Sequence, residues 1–161
     1  MPIINITTSI NAPIERCFNL ALSIDLHADS TLGTNEKVIG GISSGIIKQD
    51  ETVTWQAKHF GIKQELTTLI TKVDFPTSFE DKMIKGAFKN FYHVHSFEKI
   101  EQSTIMKDVF KFESPFGIAG KLFNVLVLTN YMIKFLTQRN QVIKKVAESE
   151  EWRKYLKDTK F

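Results

Sequence analysis

The chain has 161 residues, 42% of them hydrophobic and thirteen of them Phe. That is enough for one domain with a sizeable core, expected over 1–161 with its core in 1–148 and a helical extension over 149–161. A formal charge of +3 is too weak for a nucleic-acid footprint, no nucleic-acid motif accompanies it, and the single Cys17 excludes an internal disulfide and suits a reducing compartment. The charge is uneven. From Arg139 to Phe161 seven Lys/Arg face four Asp/Glu, which leaves the rest of the chain neutral.

Met1 leads directly into Pro2 and a strand-like run, IINITTSI over 3–10, so no secretory leader is read and the cytoplasm is the expected location. Asn11-Ala12-Pro13 opens a helix, with Asn11 or Ala12 at its cap and an apolar stripe of Ile14, Cys17, Phe18 and Ala21 or Leu22. Cys17 lies on that stripe as a small hydrophobe rather than a nucleophile. A second short helix is expected over 23–32, capped by Ser23. The GGISSG run over 40–45 is a turn region between short strands. A meander follows, at about 51–59, 63–74, 77–85, 87–99 and 103–113. A long helix over about 118–147 closes the pattern, ~45 Å if continuous. Its apolar part, Leu122–Leu136, is interrupted by Asn124, Asn130 and Lys134 and is too short to span a bilayer.

The meander carries the one feature that stands out. Residues 103–113 alternate, with Met106, Asp108, Phe110 and Phe112 on one side and Lys107, Lys111 and Glu113 on the other. Phe91, His93, His95 and Phe97 share a face of the preceding run. A turn at 100–103 then opposes Phe97 to Met106 and His95 to Asp108. The turn at 85–87 opposes Met83 to Phe91 and Asp81 to His93. Opposed side chains sit about 4.5–5.5 Å apart at Cβ, within reach of an imidazole–carboxylate hydrogen bond. Two His–Asp pairs therefore interrupt an apolar face, where ionisable groups are costly unless partnered. Extending the register gives three rows across the sheet. They are Trp55, Thr68, Asp81, His93, Phe110; then Val53, Ile70, Phe79, His95, Asp108; then Ala57, Leu66, Met83, Phe91, Phe112.

A long antiparallel sheet with one apolar face needs a cover, and the C-terminal helix is the only element large enough. The order of strand, two small helices, antiparallel strands and long C-terminal helix resembles the α+β helix-grip fold of the START/polyketide-cyclase (SRPBCC) superfamily. VTWQAKHFG (53–61), LTTLIT (66–71), FEDKMIKGAFKNFYHVHSFE (79–98) and DVFKFESPFG (108–117) carry the resemblance. They are similar to a bacterial cyclase/dehydrase-like subgroup. The resemblance implies a curved sheet wrapped around one helix, and binding of lipids, polyketides or other small apolar molecules in between, with catalysis in only some members.

On this reading Trp55, His59, Thr68, Phe79, Met83, Phe91, His93, Met106, Phe110 and Phe112 are the candidate ligand contacts from the sheet, with Leu122 and Leu126 from the helix. The loops Gly33–Gly45 and Ser114–Gly120 are the expected mouth. His93 oriented by Asp81 is the candidate acid–base pair for cyclisation or dehydration, and His95–Asp108 is a second pair. The competing reading has these pairs satisfy one another and hold the register. A third alternative is a protein-interaction module with a filled interior. His93-Val94-His95 with an aspartate has the donor types of a two-His-one-carboxylate centre, but each histidine already faces an acid, so no metal and no cofactor is expected. Trp152, Tyr155 and Leu156 read as a solvated helix end, and membrane contact is not expected.

Overall fold

The computed structural model describes residues 1–113 and 127–157. The chain runs through β1 (Ile3–Ile10), α1 (Ile14–Ala21), α2 (Ile24–Ser30), a 3-10 turn (Leu32–Thr34), β2 (Lys37–Gly41), β3 (Thr52–His59), β4 (Ile62–Asp74), β5 (Ser78–Lys85), β6 (Asn90–Ile100) and β7 (Ser103–Glu113). Among the described residues two helices follow, α3 (Thr129–Ala147) and the short α4 (Trp152–Tyr155). The expected helical stretch over 118–126 lies outside the described residues, as do the Ser114–Gly120 loop and the last four residues. Among the described residues no helix is long and apolar enough to cross a membrane.

The seven strands form one curved antiparallel sheet in the order β1-β7-β6-β5-β4-β3-β2. Local chemistry explains the helices that precede the meander. Ser23 Oγ accepts the Leu26 N–H at 3.2 Å and starts α2 as its composition suggests. Pro13 itself is the cap of α1, with ψ near 145° and no side-chain cap, so the helix begins one residue later than the proline. Phe18 from α1 meets Phe75, Phe79 and Phe97 edge-on at 5.3, 5.6 and 5.3 Å, which seats the helix pair on one end of the sheet.

The register of the last two hairpins agrees with the alternation. Asp81 opposes His93, His95 opposes Asp108, and Phe97 opposes Met106. The earlier rows need correction. Phe60 and Gly61 both take left-handed φ, 52° and 76°, and form a two-residue turn that brings Trp55 opposite Leu66 rather than Thr68. Thr68 then opposes Met83 and Ile70 opposes Asp81, and a bulge after Ile70 sets Val73 against Phe79. The tight turn shifts pairing by two residues and keeps the inward period, whereas the bulge moves the inward position from Lys72 to Val73, which packs against the core.

Helix α3 buries Met132, Leu136, Arg139, Asn140, Ile143, Val146 and Ala147, a stripe at helical spacing that carries two polar residues in its middle. It lies against β1, α1 and α2. One core cluster collects Phe18, Phe79, Phe97, Met106 and Ile143, and a second collects Phe91, Phe110, Phe112, Met132 and Leu136. Along β6 and β7 the histidines and Asp108 fall between these two clusters.

Candidate functional site

β5, β6 and β7 place Asp81, His93, His95 and Asp108 side by side, but the hydrogen bonds run across the register. His93 Nε2–H donates to Asp108 Oδ1 at 3.0 Å, and His95 Nε2–H donates to Asp81 Oδ1 at 3.1 Å. The opposed partners expected from the register make the poorer contacts. His93 Nδ1 stands 3.9 Å from Asp81 Oδ1. His95 Nδ1 comes within 2.8 Å of Asp108 Oδ1, out of line for a hydrogen bond, so that contact is electrostatic. The two pairs are thus one four-residue cluster. α3 completes it, with Asn140 Nδ2–H donating to Asp108 Oδ2 at 2.6 Å.

Charge in the cluster follows from burial and partners. Burial pushes the Asp108 carboxyl up, but the His93 hydrogen bond and the close His95 imidazole outweigh it and hold the group well below the usual carboxylate range. Asp81 is lowered in the same way, burial being outweighed by the His95 hydrogen bond and the nearby positive charges, Arg139 included. Burial pushes His95 down, yet the close Asp108 carboxylate and the hydrogen bond to Asp81 raise it above an ordinary histidine. His93 falls below the ordinary value, through burial first and the His95 charge second. The two carboxylates therefore hold a proton on His95 in preference to His93.

A second polar group sits elsewhere on the same concave face. His27 Nε2 bonds Glu36 Oε2 at 2.8 Å, His59 Nε2 lies 3.8 Å from Glu36 Oε1, and His59 Nδ1 shares a 2.6 Å hydrogen bond with Tyr131 OH. His27 also stacks on Trp55, ring centroids 4.3 Å apart. Burial pushes the Glu36 carboxyl up, and the His27 hydrogen bond with the two imidazole charges brings it below its usual value. Burial lowers His59 despite Glu36.

Between the sheet and α3 lies a cavity of about 680 Å³. Of the residues singled out from the sequence, Trp55, His59, Thr68, Phe79, Asp81, Phe91, His93, His95 and Phe110 line it. Met106, Phe112 and Asp108 are buried behind the wall, and Met83 is partly buried against the second core cluster. Leu122 and Leu126 lie outside the described residues. Sequence reasoning missed His27, Glu36, Tyr131 and Arg139, all of which face the cavity. A signal existed for Arg139 alone. Continuing the apolar stripe of α3 from Met132 and Leu136 by three or four residues lands on Arg139 and Asn140.

No protein-family model matches the chain, and no curated protein matches it significantly. Solved structures do. TTHA0849 from Thermus thermophilus superposes with a TM-score of 0.71 at 16% identity, covering 91% of this chain and 99% of that one. Major latex-like protein 151 from Panax ginseng gives 0.69 at 15% identity, over 92% and 98% of the two chains. A START superfamily protein from Mycobacterium smegmatis gives 0.68 at 12% identity, over 91% and 97%. The fold is the START-type helix grip.

In this helix grip the inner cluster also contains a metal-type donor set. Asp81, His93 and His95 each offer a ligand atom, all within 4.8 Å of one another. A divalent ion there would have to displace the proton that the two carboxylates hold on His95, and to sit close to the positive charge of Arg139.

Proposed function

We propose that the protein binds or carries a small apolar molecule, a lipid, polyketide or similar compound, between the sheet and the C-terminal helix in the cytoplasm. The observation that carries this reading is the 680 Å³ cavity, walled by Trp55, Leu66, Phe91, Phe110, Met132 and Leu136, with the four histidines that line it gathered in two clusters. Apolar walls supply affinity by releasing water, and a few polar groups set orientation.

Native mass spectrometry of freshly purified protein, followed by denaturation and extraction, tests the reading. An apolar compound recovered with the protein is expected, as is a rise in thermal midpoint when that compound is added back. Saturation at a hundred times Kd corresponds to about 2.7 kcal/mol. A protein that holds no compound and is not stabilised by any apolar additive would overturn the proposal.

A second reading, a cyclase or dehydratase, has one specific observation in its favour. His93 spends its Nε2–H on Asp108, stays neutral and faces the cavity, which leaves Nδ1 as an unprotonated base. Incubating the extracted compound with the protein and reading its mass tests it. Loss of one water that His93→Gln abolishes is the expected result, and an unchanged compound counts against dehydration.

A further inference from the structure

Arg139 is 6% exposed, lies on the inner stripe of α3 and lines the cavity. One of its donors is used: Nη2–H donates to the Ala21 carbonyl at 3.1 Å, at the C-terminal end of α1. Its Nε is buried and bonds nothing. Among the described residues no carboxylate comes within 4.0 Å of the guanidinium, and the acidic influence that reaches it is the longer-range field of Asp81.

A buried guanidinium held by one neutral carbonyl is expensive, and the partial negative charge at the end of α1 offsets only part of that cost. The planar group offers five N–H donors in a fork that matches a carboxylate. The surroundings narrow the choice of anion. Ala21, Leu22 and Leu136 bring apolar wall around Arg139, and Asp81 faces the same space. One guanidinium in view of an existing carboxylate suits a single added negative charge and opposes a dianion such as a phosphate monoester.

We propose that the cavity takes an apolar monocarboxylic acid, its carboxylate paired with the Arg139 guanidinium and its hydrocarbon body against Trp55, Phe91 and Phe110. This rests on the apolar-ligand reading above and adds the charged end of the molecule.

The test uses the full chain and two matched pairs of probes, 1-pyrenebutyric acid with 1-pyrenebutanol and dodecanoic acid with dodecan-1-ol. Pyrene binding is read by fluorescence and dodecyl binding by displacement of the pyrene probe. Each acid is expected to bind about tenfold or more tighter than its alcohol, the size of a hydrogen bond to a charged group. In Arg139→Gln that ratio collapses towards one while the alcohols keep their affinity. If Arg139→Gln fails to fold by circular dichroism, the wild-type ratio still decides, and Arg139→Lys takes its place. Acid and alcohol binding equally well would overturn this inference and leave the apolar-ligand reading standing. Binding of neither pair would overturn both. An acid preference that survives in Arg139→Gln would make Arg139 a cap of α1 and overturn the assignment.

Discussion

Two clusters built from the same residue types face one cavity, and they are wired differently. In the inner cluster two carboxylates serve two histidines, His95 is 2% exposed at its side chain, and Asn140 arrives from α3 to hold Asp108. In the outer cluster a single carboxylate, Glu36, serves His27 and His59, whose side chains are 24% and 22% exposed, and Tyr131 supplies the remaining bond. The difference teaches that stoichiometry decides where a proton rests. Two acids raise one inner histidine despite complete burial. One acid does not keep His59 from being lowered by a shallower burial.

The comparison breaks most visibly at Asp108. Asp108→Ala removes the acceptor of both His93 and Asn140 and leaves the positive charge of His95 with Asp81 alone. Breaking a buried pair in this way costs about 3–5 kcal/mol, read as a lower urea midpoint. The sign of its pH dependence follows too. Asp81 and Asp108 titrate below their unfolded values, so their contribution is present above the ordinary carboxylate range and is lost as pH falls through the folded values. The variant keeps only the Asp81 part of that acid loss, and its stability falls less steeply below about pH 4.

A smaller effect separates the two inner histidines. His95 is raised, so its stabilisation is present below its unfolded pKa of about 6.5 and is lost as pH rises through the folded value. His93 is lowered, and works the other way, penalising the fold as pH drops below about 6.5. The two oppose each other in the wild type. His93→Asn removes one side, and denaturant midpoints are then expected to decline as pH climbs from about 6 to about 9. Nitrogen-15 spectra of the imidazoles at neutral pH check the same assignment directly. An imidazolium at His93 with neutral His95 would reverse it.

The outer cluster yields the smallest change. Tyr131→Phe strips His59 Nδ1 of its 2.6 Å partner, and water reaches this partly exposed site to replace it. A loss of about 0.5–1.5 kcal/mol is expected, towards the lower end, read as a small drop in thermal midpoint. A loss as large as that of Asp108→Ala would erase the distinction between the clusters.

How much of this was legible in the chain depends on the range over which each feature is encoded. Strand limits in the meander, the Ser23 cap and the pairing of Asp81 with His93 and of His95 with Asp108 come from residues close in sequence, where alternation and turns act directly. The slip of Trp55 onto Leu66 was hidden because Phe60 adopts a left-handed φ that a bulky residue seldom takes. Glu36 stands just before the five-residue strand β2, with no periodic stripe to mark it as inward.

By itself the sequence determined that histidines and aspartates would meet on the inner face of a sheet, since a period of two leaves them no other side. Only the tertiary structure decided which nitrogen meets which oxygen. Side-chain rotamers favoured the diagonal contacts over the opposed ones, and α3 brought Asn140 and Arg139 from far along the chain. Those choices depend on how the helix seats against β1 and the α1–α2 pair, a packing outcome that no local pattern encodes.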